Sequence, residues 1–167
     1  MCSSDLLFVQ KPPLSNRDIS SPGISNLDRP TVEDFGREWA RFDQSGVADG
    51  EMRAMFDGYF AVFPWDSLSP DAVGFDAGCG TGRWAALVAR RVHRLHCVDA
   101  SKAALDVARS RLAACANTEF HHCSIGEMPF PDGSMDFGYS LGVLHHMPDT
   151  AAGLAADRKS TRLNSSH

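Results

Sequence analysis

The sequence lacks the features that mark membrane-spanning, disulfide-rich and nucleic-acid-binding proteins. No apolar run approaches the roughly 18 residues that a transmembrane helix needs. The five cysteines are odd in number and form no Cys-x-x-Cys pair, so we expect a reducing compartment rather than a disulfide scaffold. Acidic residues outnumber basic ones by 21 to 16, which gives no electrostatic reason to expect a nucleic acid or an anionic membrane as partner.

The first residues also lack the pattern of a secretory signal peptide, because Asp5 is acidic and the apolar patch at 6–9 is short. We therefore expect a cytoplasmic protein. A length of 167 residues is enough for one domain or part of one. An apolar share of 43% and a charged share of 22% are ordinary for a globular protein and exclude a largely disordered chain.

Composition divides the chain into four segments. Residues 1–30 combine prolines with many serines and asparagines, which predicts a disordered leader. Residues 31–70 predict a helical cap, and residues 71–157 alternate between strand and helix patterns. Residues 158–167 are polar and, like residues 1–6, resemble translated sequencing-adapter read-through, so we expect these ends not to be native.

Aromatic residues at helical spacing support two helices in the cap. Phe35 and Trp39 are four residues apart, and a second apolar pattern runs from Met52 to Phe63 until Pro64 stops it. An aromatic helical face by itself indicates only burial. These residues either pack in the core or close over a ligand as a lid.

Short apolar runs alternate with helical patterns from residue 71 onward. This alternation predicts an α/β fold with a parallel sheet that is covered on both faces. One helix is predicted at 81–92, and another follows Ser101, whose hydroxyl can cap its N-terminus. The predicted strands are 73–77, 95–98, 119–123 and 135–141.

The most informative segment joins the first predicted strand to the following helix. Gly78, Gly80 and Gly82 are spaced by two, and glycine allows the backbone to turn sharply and lie against a ligand. Asp76 closes the first strand, and Asp99 closes the second, 17 residues after Gly82. Because parallel strands end at one edge of the sheet, a carboxylate at Asp99 can accept both hydroxyls of a ribose.

The residues around this turn favour one kind of nucleoside. A dinucleotide site prefers a small residue at the position that Arg83 occupies. A carboxylate at Asp76 would repel a diphosphate but suit a cationic ligand. S-adenosylmethionine, with its ribose, ammonium and sulfonium groups, fits both observations.

Three segments carry a resemblance to a known family. They read DAGCGTGRW, CVDAS and MPFPDGSMDFGYSLGVLHHMPD. With these motifs the chain resembles the class I S-adenosylmethionine-dependent methyltransferases, in particular the small-molecule type with an LHH segment after strand four. The resemblance implies a Rossmann-like three-layer sandwich. Because the family has seven strands, it also implies truncation after about the fourth, which would leave strand four as an exposed apolar edge and the fragment inactive.

The resemblance assigns each part of the cofactor to a group of residues. The methionine end would lie on the glycine turn, at Asp76, Gly78, Gly80 and Gly82. The ribose would lie at Asp99, at the end of strand two, and the adenine would lie between Ala100 and the segment after strand three, at Ser124 and Ile125. The methyl group would lie beside strand four, at Leu141. Many members have Asp in place of Ser124, and Glu127 could substitute only if the loop differs.

Histidines supply the candidate catalytic residues. His145 and His146 follow strand four at the ligand-binding edge, and each either contacts the acceptor, acts as a base or braces the loop. His121, His122 and Cys123 are adjacent in a predicted strand, so their side chains point to opposite faces and converge poorly on a metal. We therefore predict no metal site.

These observations predict methyl transfer from S-adenosylmethionine to a small-molecule acceptor in the parent protein, with neither a nucleic acid nor a membrane as partner. Two alternatives stay open: an NAD-dependent oxidoreductase, and a non-catalytic fragment that binds S-adenosylmethionine.

Overall fold

Four parallel strands form the sheet that organises the protein. A computed structural model describes residues 49–143. The strand order is β3-β2-β1-β4, and every pairing is parallel. This arrangement confirms the predicted α/β architecture. The strands are β1 (Val73–Ala77), β2 (Arg94–Asp99), β3 (Thr118–His122) and β4 (Phe137–Tyr139).

Within residues 49–143, three α-helices accompany the sheet: α1 (Asp49–Tyr59), α2 (Ala85–Val88) and α3 (Lys102–Arg111). The helix predicted at 81–92 is wrong in its extent, since only α2 is α-helical and a 3₁₀ turn at Ala89–Arg91 follows it. The physical reason is Gly82, whose φ of 73° lies outside the helical region.

The capping prediction for α3 is confirmed. The Ser101 hydroxyl accepts a hydrogen bond of 3.3 Å from the backbone N–H of Ala104, which is the bond of an N-cap residue. Leu105 and Ala108 are buried and face the sheet core, while Asp106 lies on the exposed side. Helix α3 is therefore amphipathic, with one face buried against the sheet and the other exposed.

Aromatic side chains cover one face of the sheet. Helix α1 ends at Tyr59, and its apolar side continues through a turn that contains Phe60 and Phe63. The ring of Phe60 packs edge-on against Tyr139 at 5.2 Å between centroids, and Phe63 packs against Phe137 at 5.6 Å. The residues at the end of the predicted cap thus belong to the core.

The opposite face is covered by the irregular chain before β4. Phe75 and Ala77 of β1 pack there with Ile125 and Met135. Within residues 49–143 the helices lie on the other face. This face also carries two histidines of β2 and β3, His96 and His121, and burial lowers the pKa of both.

Strand β4 is an edge strand of the described sheet, since it pairs there only with β1. Its apolar side chains are nevertheless covered, and Phe137 and Tyr139 are both buried. Within the described residues, the exposed part of this edge is therefore the backbone of β4. The edge is not the apolar surface that we predicted.

Several predictions concern segments outside residues 49–143. These are the leader, the helix with Phe35 and Trp39, both candidate catalytic histidines and the polar tail, and all of them stay predictions. Among the described residues, no helix combines the length and the apolar character needed to cross a bilayer.

Packing between β1 and β4 gives a direct test of the register. A Cβ on Gly74 would overlap the ring of Phe137, its partner on β4. We expect Gly74→Ala to lower the free energy of unfolding by about 1–3 kcal/mol, as overpacking does, measured by urea denaturation. The matched control is Gly58→Ala in α1, where a Cβ meets nothing within 4 Å of the described chain and a gain of up to about 1 kcal/mol is expected. Equal effects of the two changes would contradict the register.

Candidate cofactor site

The candidate site lies where β1, β2 and β4 end. Strand β1 is central, and the chain continues from it to β2 on one side and reaches β4 on the other. In open parallel sheets, ligands bind at the carboxyl ends of the strands where the strand order reverses. In this sheet that position is the turn after β1, between β2 and β4.

The glycine turn is tied to the end of β2. The N–H groups of Gly78 and Cys79 both donate to the carbonyl oxygen of Val98, at 2.8 and 3.0 Å. Within the turn, the N–H of Gly82 donates to the carbonyl oxygen of Cys79 at 2.9 Å. Gly78, Gly80 and Gly82 all have positive φ, between 54° and 79°.

The three glycines of the turn have different surroundings. A Cβ on Gly78 would overlap Val143, which follows β4, and a Cβ on Gly82 would lie 3.0 Å from the Leu112 side chain. A Cβ on Gly80 would meet nothing within 4 Å among residues 49–143. The outer two glycines therefore allow close packing, while Gly80 presents bare backbone to open space. A ligand can lie against the turn at Gly80.

Asp99 is held by two backbone N–H groups. Its Oδ2 accepts a hydrogen bond of 2.8 Å from Gly80, and its Oδ1 accepts one of 2.7 Å from Ser101. Burial raises the pKa of this carboxyl, and the two N–H donors act in the opposite direction. A carboxylate has about four lone-pair sites, so two remain for other donors. Asp99 is thus fixed beside the turn with acceptor capacity for a diol.

Asp76 differs from Asp99 in being covered. It is 2% exposed, and its Oδ2 accepts a hydrogen bond of 2.9 Å from the Tyr139 hydroxyl. The pKa of Asp76 is raised to about 7, chiefly by burial; the Tyr139 hydrogen bond lowers it and the charge of Asp99 raises it, and about 7 is the result of all three. An open charge at Asp76, on which we based the argument against a diphosphate, is therefore not what the structure places there. Contact of Asp76 with a methionine ammonium stays a prediction.

The segment after β3 lies next to the end of β2. The N–H of Cys123 donates to the backbone oxygen of Asp99 at 3.2 Å, and a ring nitrogen of His122 lies 3.0 Å from the backbone oxygen of Ala100. Ser124 and Ile125 follow directly and are both buried. The chain therefore brings the residues assigned to the adenine together with the residue assigned to the ribose.

Ser124 has a carboxylate beside it. Its hydroxyl donates to Oε2 of Glu127 at 2.8 Å, across a 3₁₀ turn at Ile125–Glu127. The hydrogen bond brings the Glu127 carboxylate to the position of Ser124. Whether Glu127 substitutes there for an Asp stays a prediction.

The end of β4 closes the site on its other side. The Ser140 hydroxyl donates to the backbone oxygen of Ala77 at 2.8 Å, and Leu141 is partly buried against the aromatic core. His145 and His146 lie outside the described residues. The sequence analysis missed Tyr139 and Ser140, since the alternation that predicted β4 could not show that both hydroxyls would reach β1.

The chain matches a known protein family. Residues 75–162, a little more than half of the chain, match the family described as a methyltransferase domain. A malonyl-[acyl-carrier protein] O-methyltransferase from Serratia marcescens is 30% identical over 131 residues, which are 77% of this chain and 47% of that protein. The chain spans less than half the length of the curated relatives that it matches.

Solved structures show the same fold. The YcgJ protein from Bacillus subtilis has a TM-score of 0.57 at 22% identity, over 66% of this chain and 45% of that one. Phosphoethanolamine N-methyltransferase 1 from Haemonchus contortus, solved with phosphoethanolamine and S-adenosylhomocysteine, has a TM-score of 0.53 at 14% identity, over 65% of this chain and 24% of that one. At these identities the likeness concerns the fold alone.

The raised pKa of Asp76 predicts how stability depends on pH. Between the ordinary pKa near 3.8 and the folded value of about 7, the folded chain holds a proton that the unfolded chain has lost. Stability therefore falls as pH rises through this window, by up to about 4 kcal/mol for one group.

We expect Asp76→Asn to remove much of this fall when urea denaturation is compared at pH 5 and pH 8. Asp57→Asn, which changes an exposed carboxyl of α1, is the matched control and should keep the wild-type slope. If Asp76→Asn also keeps that slope, the covered position of the Asp76 carboxyl is contradicted.

Proposed function

Since the chain belongs to the class I S-adenosylmethionine-dependent methyltransferases, we propose that it binds S-adenosylmethionine at the glycine turn and catalyses methyl transfer to a small-molecule acceptor. The observation that carries the proposal is the pairing of a fixed Asp99 carboxylate with the bare backbone of Gly80 beside it. The Asp99 carboxylate suits a ribose diol, and the open backbone at Gly80 suits the methionine part of the cofactor, which extends from the ribose across the turn.

The residues fit the proposed cofactor in three places. Asp99 keeps two lone-pair sites for the ribose hydroxyls. The Ser124 and Glu127 pair offers oxygen acceptors to an adenine amine after β3. The glycine turn leaves open space at Gly80 for the methionine end, and the Asp76 side chain next to the turn accepts a hydrogen bond from the Tyr139 hydroxyl of β4.

The chemistry needs alignment more than it needs activation. When bound, S-adenosylmethionine supplies a methyl group that the sulfonium already activates for in-line attack. The chain aligns the partners and excludes water, and such positioning can lower a barrier by roughly 7–11 kcal/mol. We assign Leu141, which follows β4 and is partly buried against the aromatic core, to the side from which the acceptor would approach. A base is needed only where the acceptor atom carries a proton and is a weak nucleophile.

A small acceptor is supported by the resemblance to the small-molecule type and by the acidic net charge, which disfavours nucleic acid. The Haemonchus contortus relative in fold was solved with phosphoethanolamine, which is a small molecule. A cytoplasmic location is supported by the four free cysteines within residues 49–143.

Calorimetric titration tests the cofactor assignment. A hydrogen bond to a charged group contributes about 1.5–3 kcal/mol, so we expect Asp99→Asn to weaken S-adenosylhomocysteine binding by about 10- to 100-fold. Asp106→Asn, which changes an exposed carboxyl of α3, is the matched control and should leave the affinity unchanged. Unchanged affinity in Asp99→Asn, or equal binding of NAD by the wild-type chain, would contradict the assignment.

Methyl transfer itself is tested with a methyl-labelled donor and pools of small molecules, proteins and RNA, with label expected in the low-mass pool. For an acceptor found in this way, we expect His145→Gln or His146→Gln to lower turnover while S-adenosylhomocysteine affinity stays the same. A fall in kcat of about 100-fold or more indicates a base, and a raised KM at constant kcat indicates acceptor contact. Wild-type kinetics in both variants would exclude the two histidines from the acceptor side.

A further inference from the structure

Three side chains with metal-ligand chemistry meet on the sheet face that points away from the helices. His96 of β2 is paired in register with Glu119 of β3, and His121 lies two residues further along β3. Because side chains alternate along a strand, all three point to the same face. None of them belongs to the proposed cofactor site.

The ligand atoms are close to one another. His96 Nδ1 lies 2.9 Å from His121 Nε2 and 3.5 Å from Glu119 Oε2. Nitrogen and oxygen atoms of the three residues all lie within 4.8 Å of each other. Zinc binds such ligands at about 2.0–2.2 Å in a tetrahedron, which separates neighbouring ligand atoms by about 3.3 Å. The two separations of 2.9 and 3.5 Å lie on either side of that value.

The surroundings favour a preformed site. His96 is buried, and the ring of Phe130 packs over both imidazoles at 5.0 and 5.2 Å. Arg94 donates to Oε1 of Glu119 at 2.7 Å, which leaves Oε2 directed toward His96. Partners of this kind orient metal-binding carboxylates, although the Arg94 charge reduces the attraction for a cation. Glu119 is half-exposed, so an ion can enter from solvent.

The close approach of the two imidazoles has a clear chemical consequence. Between His96 Nδ1 and His121 Nε2 there is room for one proton, which one ring donates and the other accepts. An ion with a preference for imidazole can replace that proton and use both lone pairs. We propose that His96, Glu119 and His121 form a binding site for a divalent transition-metal ion, with Zn²⁺ as the favoured ion and one coordination position left open.

A bound ion would link the edge strand β3 to β2. The site therefore stabilises the end of the sheet that carries the proposed ribose and adenine contacts, and it does so without touching the glycine turn. The proposal does not rest on the proposed function, because zinc alone is the probe.

The test is calorimetric titration of the chelator-treated chain with ZnCl₂, followed by visible spectroscopy with CoCl₂. We expect His121→Gln to weaken zinc binding by about 100-fold or more and Glu119→Gln to weaken it by at least about 10-fold. His122→Gln is the matched control, since His122 is the next residue along β3 and points to the other face. We also expect zinc to raise the Tm of the wild-type chain and of this control, and not of His121→Gln.

Cobalt distinguishes this site from the cysteines of the chain. An intense visible band without a thiolate charge-transfer band is expected for two imidazoles and a carboxylate. Wild-type zinc affinity in His121→Gln, or a thiolate band in the wild-type chain, would overturn the proposal. If circular dichroism shows that His121→Gln does not fold, the exposed change Glu119→Gln decides, and wild-type affinity in that variant overturns the proposal in the same way.

Discussion

The carboxylate of Asp99 joins segments that are far apart in the chain. Its two oxygens accept hydrogen bonds from the turn after β1, at Gly80, and from the start of α3, at Ser101. The backbone oxygen of Asp99 accepts a hydrogen bond from the N–H of Cys123, after β3. Hydrogen bonds from N–H groups to an ionised carboxylate are stronger than neutral ones. The Asp99 side chain therefore links the glycine turn to the helix N-terminus, and the backbone of the same residue links both to the adenine segment.

A second set of hydrogen bonds holds the other side of the site. Tyr139 donates to Asp76, and Ser140 donates to the backbone of Ala77, so β4 is linked to β1 by side chains as well as by its strand pairing. The chain after β4 then lies close enough to Gly78 that no Cβ fits there. The turn is fixed between β2 and β4, and Gly80 is the part of it left open to a ligand.

Much of the fold could be predicted from local patterns. The existence of the four strands and the Ser101 cap follow from periodicity and capping chemistry, and the structure confirms them. The bounds are less exact, since the helical pattern predicted from Met52 to Phe63 ends at Tyr59 and the strand predicted at 135–141 spans Phe137–Tyr139. The helix after the turn was predicted too long, because a periodic pattern does not show that Gly82 packs with positive φ against α3. The convergence of His96 with Glu119 and His121 was not predictable, since it depends on the register between β2 and β3.

What the sequence by itself determined is the chemistry available at the sheet edge: glycines spaced by two, a carboxylate near the end of each of two strands, and the motifs of the methyltransferase family. What only the tertiary structure decided is which groups are open and which are covered. Asp76 and Asp99 look alike in the sequence, yet one is buried under Tyr139 and the other lies beside Gly80. The physical reason is that burial and hydrogen-bond partners are set by the packing of distant segments, which no local pattern contains.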